Sequence, residues 1–148
     1  MALERDKIVG AALPEVRAVS IAARIKGKWL LVRRGNAPSK GKYAFPGDRA
    51  EAGEALEDAA RRELREETGL EAGKLSELTQ MILPGENCVY ALTVFWADAL
   101  TGAMAAGDDA AEAGFFSMEE ITGLPMSPST LEAILTFETS VKAPDARN

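Results

Sequence analysis

One stretch of the chain, residues 55–68, most constrains how it can fold. The stretch contains neither glycine nor proline, and Gly69 follows at the position of a C-terminal cap, so a helix ending there is predicted. With about 100° between successive residues, one apolar stripe runs along this helix, formed by Leu56, Ala59, Ala60 and Leu64. Glu63 and Glu67 fall in the middle of that stripe. The face that a helix normally buries therefore carries two carboxylates.

These two carboxylates lack a basic partner at helical spacing. The residues three and four positions from Glu63 and Glu67 are small, apolar or acidic, and Glu66 adds a third carboxylate that Arg62 can reach. Like charges one turn apart cost roughly 0.2–0.5 kcal/mol when exposed and more when buried. Two sources of compensating charge stay open: a hard divalent cation such as Mg²⁺, which takes oxygen ligands, or an arginine from elsewhere in the chain.

The composition limits the chemistry of such a site. The 148-residue chain has no histidine, one cysteine and a net charge of −6. Without histidine, Ser-His-Asp and Cys-His catalytic units and imidazole-bound zinc are excluded, which leaves carboxylates and water as proton carriers. The acidic balance argues against duplex nucleic acid as a partner, and no apolar stretch is long enough to span a membrane. Cys88 is expected to be buried on a strand, in a reducing compartment such as the cytoplasm.

Strands are predicted on both sides of the helix. They are expected at residues 16–25, 29–34, 81–83, 88–100 and 115–116. The first two are predicted to form a β-hairpin turned at residues 26–28, and residues 102–114 to form a loop. A capping box at Ser117 predicts a short helix, and Pro128 opens a final one.

This order of elements predicts the fold class. Strands, a helix, more strands and a closing helix favour an α/β fold with a mixed sheet covered on both faces. The length suits a single domain over residues 1–148, with residues 1–14 and 143–148 peripheral.

Residues 48–70 match a long pattern with fixed spacing. The pattern is Gly, five residues, Glu, seven residues, then Arg-Glu-apolar-x-Glu-Glu-x-Gly-apolar, and every fixed position is met except the first, where Asp48 stands. This segment resembles the signature of the Nudix hydrolases. The flanking Arg33 and Arg34, the approach through residues 45–47 and the stretch 108–116 are similar to MutT-like and ADP-ribose pyrophosphatase-like members.

The resemblance implies a Nudix-type α/β/α sandwich with a central mixed sheet, in which the signature forms a loop-helix-loop. It also implies hydrolysis, dependent on Mg²⁺ or Mn²⁺, of a phosphoanhydride bond in a nucleoside diphosphate linked to another group. The residues that would bind metal or activate water are Glu63, Glu66 and Glu67, with the Gly47 carbonyl as a further ligand. Glu54 and Arg62 would hold the loop against the helix, and Gly69 would end it. The general base would be a helix glutamate or a later acid, Asp109 or Glu112.

Substrate contacts are expected next to the signature. Arg33 and Arg34 are placed to bind phosphate oxygens. Tyr43 and Phe45 would either stack on a base or lie in the core. Asp48 would either ligate the metal or repel the phosphates.

Two functions follow from these expectations. A hydrolase acting on a small-molecule nucleotide is favoured because the signature glutamates are intact. The alternative is a non-catalytic Nudix-fold domain that binds a nucleotide or a partner protein. A homodimer is possible, as some relatives of this type dimerise.

Overall fold

The computed structural model describes residues 13–36, 39–105 and 110–142. The strands in these ranges are β1 Glu15–Ala22, β2 Arg24–Ile25, β3 Lys28–Arg34, β4 Tyr43–Ala44, β5 Gly47–Arg49, β6 Glu71–Ala72, β7 Leu75–Pro84, β8 Val89–Ala97, β9 Leu100–Thr101 and β10 Ala110–Phe116. The helices are α1 Leu56–Thr68, α2 Met118–Ile121 and α3 Pro128–Lys142.

The strands form two four-stranded sheets and a small pair, β6 with β9. The first sheet has the order β5-β1-β8-β7. It is mixed, because β1 runs parallel to β8, whereas the pairs β1–β5 and β7–β8 are antiparallel. In the second sheet β3 pairs antiparallel with β10, β2 and β4. The mixed sheet expected from the element order is confirmed.

Alternation along the strands explains why helices cover both faces. In β1, Val19 and Ile21 belong to a core cluster that contains Leu64 of α1, whereas Ala22 belongs to a second cluster that contains Ile134 of α3. Successive strand residues point to opposite faces, so one strand contributes to both clusters. The predicted α/β class with helices on both sides is confirmed.

Helix α1 follows its sequence pattern closely. It begins at Leu56, one residue later than predicted, because Ala55 keeps an extended backbone as the N-cap. Gly69 ends the helix in the left-handed region with a φ of 78°, and its N–H donates to the carbonyl of Arg65. Glycine adopts this conformation at little cost, so the predicted C-terminal cap is confirmed.

The predicted β-hairpin over residues 16–25 and 29–34 is largely wrong. Only β2 pairs with β3, and the residue pairs are Arg24 with Trp29 and Ile25 with Lys28. Strand β1 ends at Ala22 and belongs to the other sheet, where it pairs with β8. The reason is burial: residues 19–23 are all buried, so this strand needs cover on both faces. A central position beside a parallel neighbour provides that cover.

Three further expectations are corrected, two of them by long-range strand pairing. Strand β7 begins at Leu75, well before residue 81, because it pairs along the whole of β8. Strand β10 begins at Ala110 against β3, which shortens the predicted loop 102–114. Cys88 is half-buried in the turn before β8 rather than on a strand.

Within the described ranges, no helix has both the length and the apolar character needed to cross a membrane.

Candidate active site

Helix α1 carries Glu63 and Glu67 into the protein, where they form a buried acid pair. Their residues are 8% and 5% exposed. Each of the two carboxyl groups acts on the pKa of the other. The backbone N–H of Gly47, at the start of β5, donates to Glu67 Oε1 over 3.2 Å. Residues distant in sequence therefore meet at the acid pair.

Burial controls the protonation of the acid pair. Loss of water contact raises the pKa of Glu67 well above the ordinary carboxyl range, and the charge of Glu63 raises it further. The Gly47 N–H and the Arg34 charge act in the opposite direction on that pKa. Burial also raises the pKa of Glu63, with Asp48 adding to the effect. The charge of Glu63 therefore disfavours ionisation of Glu67, as is expected for two interacting acids in a buried site.

Arg62 connects the acid pair to the loop before the helix. Its guanidinium donates to both carboxylate oxygens of Glu54, over 2.9 and 3.0 Å, and also to Glu63 over 3.0 Å and Glu66 over 3.3 Å. The Arg62 hydrogen bonds and the backbone N–H of Glu51 lower the pKa of Glu54 to about 2. The predicted contact of Glu54 with Arg62 is thus present.

Glu63 has a basic partner, although no basic residue lies three or four positions from it. Spacings of three and four residues describe neighbours on a helix surface, whereas Arg62 precedes Glu63 directly and bends back toward it. Among the described residues, Glu67 has no arginine or lysine in ion-pair contact. The negative charge of the acid pair is therefore only partly balanced by basic side chains.

Replacing the forked guanidinium tests this network. We expect Arg62→Lys to lower the free energy of unfolding by about 1–2 kcal/mol, because a lysine cannot make the two-pronged bond to Glu54 while also reaching Glu63. The matched control is Arg65→Lys, whose side chain is 53% exposed and pairs only with Glu71 among the described ion pairs. The control should lose less than about 0.5 kcal/mol. Urea unfolding measures both, and equal losses would contradict the network.

The backbone around Gly47 leaves no room for a side chain at this position. Its φ is 153°, and a Cβ there would lie 2.1 Å from the Val19 carbonyl oxygen and 2.8 Å from Ser20 Cβ. Asp48, in contrast, does not have a positive φ, so the signature glycine that it replaces is not needed for the backbone here. Its carboxylate accepts the N–H of Arg49 and adds negative charge near Glu63.

A cavity of about 360 Å³ is connected to the acid pair through a neighbouring residue, since neither Glu63 nor Glu67 is among its described lining residues. Gly47 lines it and also bonds Glu67, while Arg34 lines it and acts on the charge of Glu67. The other walls come from β1, β7, β8, Phe45 and the first turn of α3. Ser20 of β1 also lines this cavity. In the sequence Ser20 is a hydroxyl between two apolar strand residues, a pattern that does not mark a site residue.

The remaining predicted site residues make no described hydrogen bond or ion pair with the acid pair. Tyr43 and Phe45 belong to the core cluster under α3, at 8% and 3% exposure, so a stacking role for them stays a prediction. Arg33 lies 3.9 Å from Glu112, which also hydrogen-bonds Tyr43. Among the described contacts, Glu112 meets these two residues and not the acid pair. Asp109 lies outside the described residues.

The fit of a metal ion depends on the donor atoms. Across the described ranges, no three His, Cys, Asp or Glu side chains converge as a ready-made metal site. Glu66 does not complete such a site, because its side chain is 56% exposed and is bound by Arg62. The acid pair itself fits a hard divalent cation, because two carboxyl groups whose pKa values are raised by burial could both ionise against its charge.

Comparison with known families identifies the domain. A family model described as the NUDIX domain matches residues 14–136, which span most of the chain. The chain belongs to the Nudix family. The acid pair on α1 is therefore part of the Nudix signature helix, as the resemblance over residues 48–70 implies.

Individual Nudix proteins are similar to this chain. The ADP-ribose pyrophosphatase of Methanocaldococcus jannaschii is 41% identical over 100 residues, which are 66% of this chain and 59% of that protein. The match thus spans little more than half the length of that relative.

Solved Nudix structures share the fold. A MutT Nudix hydrolase from Burkholderia pseudomallei has a TM-score of 0.75 at 23% identity, covering 80% of this chain and 95% of its own. The Nudix domain of Shewanella oneidensis NrtR, complexed with ADP-ribose, has a TM-score of 0.73 at 18% identity. The match covers 88% of this chain and 89% of that chain. At these identities the likeness shows the fold alone.

Proposed function

We propose that this Nudix domain hydrolyses a phosphoanhydride bond of a nucleoside diphosphate linked to another group. The observation that carries the proposal is the acid pair, buried and only partly compensated, and joined through Gly47 to a cavity that Arg34 lines. Buried carboxyl groups with raised pKa values, lying next to a cavity, are typical of functional sites. The family membership supports the same reaction class.

The divalent ion, Mg²⁺ or Mn²⁺, would be held by Glu63, Glu66, Glu67 and the carbonyl of Gly47. When bound, it would neutralise phosphate oxygens and supply an acidified water. Arg34 would bind a phosphate at the edge of the cavity, where its guanidinium can make a two-pronged contact. Arg62 would keep Glu63 and Glu66 in place through its bond to Glu54.

ADP-ribose is the first substrate to test. An ADP-ribose pyrophosphatase is among the similar proteins, and one structural neighbour has ADP-ribose bound. Nucleoside triphosphates come next, because a putative 8-oxo-dGTP diphosphatase of Bacillus subtilis is 38% identical to this chain over 80 residues.

A substrate panel tests the proposal. The purified protein is incubated with ADP-ribose, nucleoside triphosphates, dinucleotides and sugar nucleotides, with Mg²⁺, with Mn²⁺ or with a chelator, and the nucleotide products are separated. We expect at least one substrate to be cleaved with a divalent ion and none with the chelator.

The panel also decides between the two functions. If calorimetry shows binding of a panel member that is not cleaved under any metal condition, the non-catalytic nucleotide-binding function replaces the hydrolase. Cleavage that persists in the chelator would contradict the metal assignment. A cytoplasmic location and a homodimer stay predictions.

A further inference from the structure

Asp48 is the one position at which residues 48–70 depart from the Nudix signature, which has glycine there. The backbone does not require a glycine at this point, because Asp48 does not adopt a positive φ. The residue is half-buried, where an ionised side chain is less favourable than in water. What distinguishes this chain within the signature is therefore a charged side chain on β5.

Strand register directs the side chain of Asp48 toward α1. Asp48 lies directly opposite Val19 in the antiparallel pair of β5 with β1, and opposite residues of such a pair share a face of the sheet. Val19 belongs to the core cluster that contains Leu64 of α1. The residue before Asp48, Gly47, donates its N–H to Glu67 of the acid pair. Asp48 and the acid pair therefore lie in the same layer, where α1 packs against β5.

The charge of Asp48 has no basic partner within the described residues. Its Oδ1 accepts the backbone N–H of Arg49 over 2.8 Å, and no lysine or arginine is in ion-pair contact with it. Arg62, which partly balances the acid pair, forms its ion pairs with other acids, namely Glu51, Glu54, Glu63 and Glu66. Burial raises the pKa of Glu63, and the charge of Asp48 raises it further. Asp48 thus adds to the uncompensated negative charge between β5 and α1.

Asp48 is placed to act on a bound cation at longer range. Across the described ranges, no three acidic side chains converge as a metal site, so Asp48 acts through its charge rather than as a direct ligand. The attraction of a carboxylate for a divalent ion is twice that for a monovalent ion, and it extends beyond ligand distance. The amount of negative charge around a site tunes its affinity for hard cations.

We propose that Asp48 is a determinant of metal affinity, whose negative charge on the α1 side of β5 strengthens the binding of a divalent cation at the acid pair. This inference rests on the metal site of the proposed function. Because the signature has glycine at this position, the contribution of Asp48 comes in addition to that of the signature acids. In the metal-free protein the same charge is unfavourable, since it lies near Glu63 without a basic partner in the described part of the chain.

The test measures metal binding without nucleotide. Wild type and Asp48→Asn are titrated with Mn²⁺ by calorimetry, and we expect the variant to bind the ion about 10-fold more weakly. The asparagine oxygen can still accept the N–H of Arg49, so the substitution removes only the charge. The matched control is Glu132→Gln, which removes one negative charge at an exposed position of α3, on the opposite face of the sheet. Its affinity for Mn²⁺ should stay within about twofold of wild type.

Stability provides an independent readout. In a chelator, Asp48→Asn should have a higher Tm than wild type, because it removes a half-buried charge near another acid. A fixed concentration of Mn²⁺ should then raise the Tm of wild type more than that of the variant, because tighter binding to the folded state stabilises it more. Asp48→Gly, which restores the signature residue, should bind Mn²⁺ as weakly as Asp48→Asn.

The outcomes separate this inference from the proposed function. Unchanged Mn²⁺ affinity in Asp48→Asn would overturn the inference. If that variant also binds pyrophosphate more tightly in a chelator, Asp48 repels phosphate groups instead. A wild type that binds no Mn²⁺ would overturn the inference together with the metal assignment of the proposed function. If Mn²⁺ binding depends on Asp48 while the substrate panel shows no cleavage, this inference stands and the hydrolase proposal fails.

Discussion

Glu67→Gln is expected to lower kcat on any substrate found by the panel by at least about 10³-fold, without loss of folding. The amide oxygen can still accept the N–H of Gly47, so the local hydrogen bond is retained. The amide cannot become a carboxylate, however, so the negative charge that would hold a divalent ion is lost. In the absence of metal the variant should be as stable as wild type or more stable, because Glu67 is buried against the like charge of Glu63.

Steady-state kinetics and thermal unfolding in a chelator measure the two effects. The matched control is Glu57→Gln, an exposed position in the first turn of the same helix. The control should retain activity within about twofold, as for an exposed charge away from any site. Full activity in Glu67→Gln would disprove the role of the acid pair in catalysis. A fall in activity that matched a fall in stability would show a structural role instead.

Gly47→Ala is expected to destabilise the protein by about 3 kcal/mol or more. The added Cβ would lie 2.1 Å from the Val19 carbonyl oxygen, at a φ of 153° that side chains rarely adopt. Strand β5 would have to move away from β1, and the hydrogen bond from Gly47 to Glu67 would move with it. Activity should therefore fall even at temperatures where the variant stays folded.

Gly53→Ala separates conformational strain from close approach. Gly53 also has a positive φ, of 77°, but a Cβ there would meet nothing within 4 Å. That variant should lose about 1 kcal/mol, the cost of the backbone conformation alone. Urea unfolding gives both values. If the two alanine variants are equally stable, the close approach of β5 to β1 does not limit the site.

Much of the fold could be predicted from local pattern. The limits of α1 and its cap at Gly69 follow from helical periodicity and from the conformational freedom of glycine. The capping box at Ser117 is present, with the Glu120 N–H donating to the serine hydroxyl. These features depend on residues close in sequence, so the chain alone contains the information.

The hairpin and the partner of Glu63 could not be predicted in this way. The sequence from β1 to β3 suggests adjacent strands, but pairing with β8 buries β1 on both faces and outweighs the local turn. Arg62 is adjacent to Glu63, yet its direction is fixed by Glu54, which belongs to a loop that the helix pattern does not describe.

The sequence by itself determined that two carboxylates would lie on the buried face of one helix, because helical periodicity is local. It also determined the Nudix signature around them. Only the tertiary structure decided what lies near the acid pair: Gly47 from β5, which bonds Glu67, and the cavity that Gly47 lines. Strand register brings these groups together from distant parts of the chain, and register depends on burial across the whole sheet rather than on any short segment.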